Sequence, residues 1–162
     1  CRCGQPIEAQ LSAAWALGSR NRARTMSSSS DLRLITRPPS RARFVHFAVL
    51  ADDPALVLSA PNPVTRKLLE RTGMKIDEFD AIECNEAFAA IALMWAKEFR
   101  PDPDRYNPRG GAIAIGHPLG ASGVRLMTTM LNHLEATGGR FGFQTMCEGG
   151  GQANATVIER LG

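Results

Sequence analysis

One histidine sits inside a run of glycines: Gly110-Gly111-Ala112-Ile113-Ala114-Ile115-Gly116-His117-Pro118-Leu119-Gly120-Ala121-Ser122-Gly123. An amphipathic pattern begins where the run ends, so the segment must be a loop that feeds a helix. Glycine at this density lets the backbone adopt positive φ and approach a neighbour or a ligand closely. A histidine placed there titrates near neutral pH and is able to move a proton. Two further polar clusters lie on either side, Asn85-Glu86-Ala87-Phe88 before it and Cys147-Glu148-Gly149-Gly150-Gly151 after it. An Asn, a His and a Cys, each at the end of a predicted element, point to acyl-transfer chemistry.

The surrounding pattern is that of an α/β protein. Phe44–Leu50 is β-branched and aromatic and reads as a strand, with His46 as an ordinary strand residue. Asn62-Pro63 predicts a helix start, Asn as N-cap and Pro at the first helical position, and Gly73 predicts its end. Ala81–Cys84 reads as a short buried strand. Helical spacing runs from Glu86 to Phe99, and again from about Ala121 to Ala136 with Val124, Met127, Leu131 and Leu134 inward. Gly138-Gly139 ends that helix. Phe141–Cys147 and Ala153–Glu159 alternate as two strands joined across the glycine turn. The expected fold is therefore a mixed sheet flanked by helices, with its polar candidates near the strands' carboxyl ends.

Composition removes several function classes. The net charge of +3 is unevenly spread: residues 1–43 hold eight Arg, no Lys and two acids, and the remainder is mildly acidic. That acidic body argues against a nucleic-acid surface. No apolar run reaches the ~18 residues that a membrane span requires. The cysteines Cys1, Cys3, Cys84 and Cys147 form neither a CxxC pair nor a zinc spacing, so no metal site and no disulfide framework is expected. A reducing cytoplasm is the default for such a chain. The chain opens at Cys1 with its first Met at Met26, which reads as a fragment or an incomplete gene model. Residues 9–17 have local helix propensity. Residues 1–40 are otherwise expected to be irregular or mis-translated, and residues 41–162 to form the folded domain.

Asn85-Glu86-Ala87-Phe88-Ala89-Ala90, the loop GGAIAIGHPLGASG and Cys147-x-Gly149-Gly150-Gly151 together resemble the C-terminal signature blocks of the thiolases, in order and in spacing, from about Arg41 to Gly162. The resemblance implies a thiolase-like C-terminal half-domain. It also implies an acyl-CoA acyltransferase that performs reversible Claisen condensation or thiolytic cleavage of a 3-ketoacyl-CoA. No permanently bound cofactor is implied; coenzyme A and its thioesters are substrates. By the same resemblance His117 activates a nucleophilic cysteine and contributes to an oxyanion hole. Cys147 is the acid/base cysteine, its thiol pKa open to lowering by a cation or by backbone donors. Asn85 positions an oxyanion-hole water, the Gly149 N–H serves a second oxyanion hole, and Glu86 supports the His or Asn network.

Taken singly, a Cys before a glycine turn is more often a packed apolar residue, and Cys84, Met127 and Met130 are best read that way. The three blocks in register are what favour chemistry. Two departures stand against a complete enzyme. Cys1 and Cys3 lie in no block resembling the family's nucleophile, which belongs to an N-terminal half of similar fold. Nothing before Arg41 resembles the loop that holds the pantetheine arm. Separately, Arg109 stands just before Gly110-Gly111, where many members of the resembled family carry a smaller polar residue. The competing reading is a non-catalytic remnant or interaction module from a truncated gene. Under the first reading the chain needs an N-terminal thiolase half, and a homo-oligomer is compatible with it.

Overall fold

The computed structural model describes residues 39–162. The expected helix over residues 9–17, the irregular stretch before Pro39, and Cys1 and Cys3 lie outside the described residues. The elements are β1 (Ala42–Ala51), α1 (Pro61–Thr72), a 3-10 turn (Ile76–Glu78), β2 (Ala81–Cys84), α2 (Ala89–Phe99), a short α3 (Gly111–Ile115), α4 (Ser122–Thr137), β3 (Phe141–Glu148), a 3-10 turn (Gly149–Gly151) and β4 (Gln152–Arg160). They form one four-stranded sheet in the order β1-β4-β3-β2. β1 and β3 run antiparallel to β4, and β2 runs parallel to β3. The mixed sheet with flanking helices is the expected α/β layout.

Strand alternation sorts the side chains into two cores. On one face Val64 and Leu68 of α1 and Trp95 of α2 pack on Phe143, Ala155 and Val157, with Phe79, Ile82 and Cys84 beside them. On the other, Met130 and Leu134 of α4 pack on Ala81 and Ile158. Trp95 is fully buried and its indole N–H donates to Thr65 Oγ1 at 2.9 Å, which ties α2 to α1. Its ring also stacks on Tyr106, with centroids 5.5 Å apart. The 105–107 segment lines the outer edge of β2: Ile82 N donates to Arg105 O at 2.8 Å and Asn107 N to Ile82 O at 2.7 Å. At the opposite edge, Arg71 and Lys67 of α1 donate to the Phe47 and Val49 carbonyls of β1. Basic side chains there blunt a strand edge that would otherwise invite pairing with another chain.

Four local expectations are corrected. Asn62 is not an N-cap. Pro61 occupies the first helical position, Ala60 precedes it, and the Asn62 side chain donates instead to Glu98 Oε2 at 2.5 Å. Proline tolerates that first position because it has no N–H to leave unpaired. The second helix starts at Ala89 rather than Glu86, because Phe88 is extended at φ −141°. The glycine run is not all loop, since Gly111–Ile115 closes one short helix. Val124 faces outward, 76% exposed, whereas Ser122, Leu126, Met130 and Leu134 form the buried stripe of α4. At about 100° per residue, Val124 lies nearly opposite both Ser122 and Leu126. Gly73 and Gly138 end their helices as expected. Met130 is buried and Met127 partly so, both packed in the α4 core.

Between α4 and β1 an open groove of about 400 Å³ is lined by Phe44, Val124, Met127, Leu131 and Ile158. Phe44 is 70% exposed on its rim.

Candidate active site

The direction of α4 decides where the polar residues gather. A Cβ on Gly123, in its first turn, would lie 3.6 Å from Met146 Sδ, near the end of β3. Past its far end, a Cβ on Gly139 would lie 2.7 Å from the Cβ of Asp80, just before β2. α4 therefore runs back along the parallel β2–β3 pair, and its N-terminus comes to the carboxyl ends of both strands. Asn85 follows β2, Cys147 lies at the end of β3 with Gly149 just past it, and His117 precedes α4, so all four expected residues lie at this one end of the sheet. That is where open α/β sheets hold their ligands.

His117 is fixed by its own helix. Its Nδ1 lies 2.6 Å from Ser122 Oγ. The Ser122 hydroxyl donates to Pro118 O at 3.0 Å. A hydroxyl has one proton, so its lone pairs are left to accept from Nδ1–H. The neutral ring is then protonated on Nδ1, and Nε2 keeps the free lone pair that a base requires. Ser122 is fully buried. It was missed as a site residue, although it stands five positions after His117 within the quoted motif.

Asn85 donates its backbone N–H to Thr145 O at 2.9 Å, extending the β2–β3 pairing by one residue. Its side chain is 1% exposed, and neither Oδ1 nor Nδ2 has a hydrogen-bond partner among the described residues. An amide buried in that state costs about 1–3 kcal/mol unless something satisfies it. Glu86 bonds neither Asn85 nor His117 among the described residues. It accepts from Asn107 Nδ2 at 3.0 Å and from Ile113 N at 2.8 Å, and so holds α3, the segment leading to His117. Gly111 is required there. Its φ is +59°, and a Cβ would fall 2.5 Å from Glu86 Oε2. Asn107 completes the brace by exchanging two hydrogen bonds with the Cys84 backbone, at 2.9 and 3.1 Å.

Cys147 is a buried free thiol. Alternation along β3 places it on the face of Phe143, whereas α4 covers the face of Gln144 and Met146. Cys147 and the α4 N-terminus that holds His117 through Ser122 therefore lie on opposite faces of the sheet at the same strand end, and no hydrogen bond joins the two side chains among the described residues. Burial raises the Cys147 thiol above its ordinary pKa; its own backbone N–H pulls the other way and the Glu148 charge adds to the rise. The expected lowering is thus reversed, because the pull of the backbone donor does not outweigh desolvation. At neutral pH this side chain is a thiol, a proton donor. Cys84, with its thiol pushed up to about 12 by burial, fits the packing role expected of it. Gly149 opens the 3-10 turn after β3 and is exposed.

Three more polar side chains lie beneath this rim and were not singled out. Glu83 is fully buried, and burial, with the Glu86 charge, drives its carboxyl up to about 7 while Arg125 opposes the rise. Gln144 is 2% exposed. Arg125 donates to Ile115 O at 2.6 Å. His133 accepts from Arg109 Nε at 3.1 Å, away from the rim on the later turns of α4. Burial first, and the Arg109 charge second, lower its pKa.

A histidine in a helix-entry loop, a buried thiol and an unsatisfied amide thus stand at one strand-end rim. Comparison with known proteins gives the family. The family described as "Thiolase, C-terminal domain" matches residues 38–160. A steroid 3-ketoacyl-CoA thiolase of Mycobacterium tuberculosis is 57% identical over 121 residues, covering 75% of this chain and 30% of the relative. A beta-ketoadipyl-CoA thiolase of Acinetobacter baylyi is 46% identical over 124 residues, 75% of this chain and 31% of the relative. An acetyl-CoA acetyltransferase of Shinella zoogloeoides is 47% identical over 119 residues, 74% of this chain and 30% of the relative. The chain belongs to the thiolase family, as its C-terminal domain. It spans about a third of the length of these curated relatives. Among the described residues no helix is long and apolar enough to cross a membrane.

Proposed function

We propose that residues 41–162 supply the acid/base half of an acyl-CoA acyltransferase site of thiolase type, working on coenzyme A thioesters. The observation that carries this is the Asn85 amide, buried with both polar atoms unpaired at the rim shared with His117 and Cys147. A group held in that condition has a ligand or a water to orient. The acyl-carrying thiol comes from an N-terminal half, docked on the open α4–β1 face whose Phe44 and Val124 are exposed.

In the cleavage direction the steps balance as follows. His117 Nε2 takes the proton of the carrier thiol, and the new Nε2–H donates to the oxyanion. The carrier thiolate attacks the 3-keto carbonyl and the Cα–Cβ bond breaks. The electron pair passes to the departing enolate, which the Cys147 S–H protonates at carbon. The resulting Cys147 thiolate takes the proton of incoming coenzyme A, the coenzyme A thiolate displaces the carrier from the acyl group, and the freed carrier thiolate takes back the proton held on His117 Nε2. Asn85 holds the water, and Gly149 N–H the position, that stabilise the thioester oxygens. The free buried thiols fit a reducing compartment, and we assign the chain to the cytoplasm.

The test joins this chain in frame to an N-terminal thiolase half and follows both the acylation burst and steady-state turnover. Cys147→Ala abolishes turnover and leaves the burst. His117→Ala slows the burst by the ~10²–10⁴-fold typical of a positioned acid or base. Asn85→Ala costs at most the ~10²–10³-fold of one oxyanion donor. The 162 residues alone give no turnover. Loss of the burst in Cys147→Ala would make Cys147 the acyl carrier and overturn this assignment. An inactive fusion that binds no acyl-CoA would favour the non-catalytic module.

A further inference from the structure

The His117 loop is held from below by charges that the proposed chemistry does not use. Glu83 is fully buried, and neither carboxylate oxygen has a hydrogen-bond partner among the described residues. Arg125 buries Nε and Nη2 in the same condition. Its remaining nitrogen, Nη1, donates at 2.6 Å to the carbonyl of Ile115, two residues before His117. Three residues before Arg125 on α4 is Ser122, which bonds the His117 ring. Arg125 and Ser122 thus grip the two sides of Gly116-His117 from consecutive turns of one helix. Alternation along β2 sends Glu83 to the α4 face, opposite Cys84, so the carboxylate and the guanidinium share one dry layer between sheet and helix.

A guanidinium with two buried nitrogens, three N–H groups in all, left unpaired is costly without a counter-charge. Glu83 is the buried carboxylate facing the same layer; the two side chains make no hydrogen bond to each other, and the Arg125 charge favours the ionised form of Glu83. Glu86, the other acid there, is already engaged by Asn107 and the Ile113 N–H. We propose that Glu83 is the buried counter-charge of Arg125, and that this pair positions the loop presenting His117. Glu83 is a positioning residue; it touches no reacting atom. The inference rests on the reading of His117 as the base, but its test does not involve catalysis.

The test is hydrogen exchange at pH 8, above the Glu83 titration, resolved by segment, on the full 162-residue chain and its variants. Glu83→Gln and Arg125→Met each speed exchange across residues 113–122 by about tenfold, the size of a typical coupled pair, and leave β3 and β4 protected. The double variant is no worse than either single one, since each removes the same interaction. Arg125→Lys, which keeps the charge, restores part of the protection. Additive losses, or faster exchange spread evenly over the sheet, would overturn the proposal by reducing Glu83 to an ordinary core residue. Should Glu83→Gln fail to fold, the contrast between Arg125→Met and Arg125→Lys decides: equal loop exchange in the two overturns the pairing, and slower exchange in Arg125→Lys supports it. Because exchange is read without substrate, a negative result here leaves the acyltransfer reading standing, and an inactive fused enzyme leaves this one standing.

Discussion

Ser122 Oγ lies 2.6 Å from His117 Nδ1, and its own proton is committed to Pro118 O. One residue of the α4 first turn therefore sets both the orientation and the tautomer of the His117 ring. Ring nitrogen shifts measured by NMR should show the neutral form of His117 protonated at Nδ1, with Nε2 unprotonated. In Ser122→Ala the ring loses its acceptor, at a cost of about 1 kcal/mol, and should report a mixture of tautomers. A wild-type ring carrying its proton on Nε2 would contradict the arrangement.

Stability should respond to pH through Glu83. Its folded carboxyl titrates at about 7 against 4.5 for the free side chain, so between those values the folded state binds the proton more tightly. The contribution is fully present below pH 4.5 and is lost as pH rises through about 7. Chemical denaturation at pH 5 and pH 8 should show wild type losing up to about 3 kcal/mol relative to Glu83→Gln across that interval. Carboxylates such as Glu159, held below the usual range by Arg140 and Arg43, act in the opposite sense at lower pH. Subtracting the variant isolates Glu83. Parallel curves would show that the carboxyl is not perturbed.

The described thiols should resist alkylation in the native chain. Cys84 is 1% exposed with its thiol pushed up to about 12, and Cys147 is buried with its pKa raised by the same desolvation. Only the thiolate attacks iodoacetamide. Peptide mapping after brief treatment at pH 7.5 should find Cys84 unmodified and Cys147 modified slowly, with Cys147 accelerating steeply toward pH 9. Rapid labelling of Cys147 at neutral pH would mean a lowered thiol, and would remove the proposed role of resident proton donor.

Much of this was legible in the chain. The apolar alternation of Phe141–Cys147 and Ala153–Glu159 specified a strand pair, because one face of each must be dry. The motif residues around Asn85, His117 and Cys147 marked element ends, because glycine and polar residues disfavour element interiors. Other features depended on distant partners. Asn62 lost its expected cap role to Glu98 on another helix, and Glu86 left the helix pattern to bond Asn107 and Ile113. Val124 reads as apolar in any window, yet the sheet takes Ser122, Leu126 and Met130 instead. Ser122 and Glu83 illustrate the division best. Sequence by itself determined which residue types stand at which element ends, since periodicity and turn chemistry are local. Only the tertiary structure decided which of them are dry, which are paired, and which charge faces which, because burial and hydrogen-bond satisfaction are properties of neighbours brought in from elsewhere in the chain.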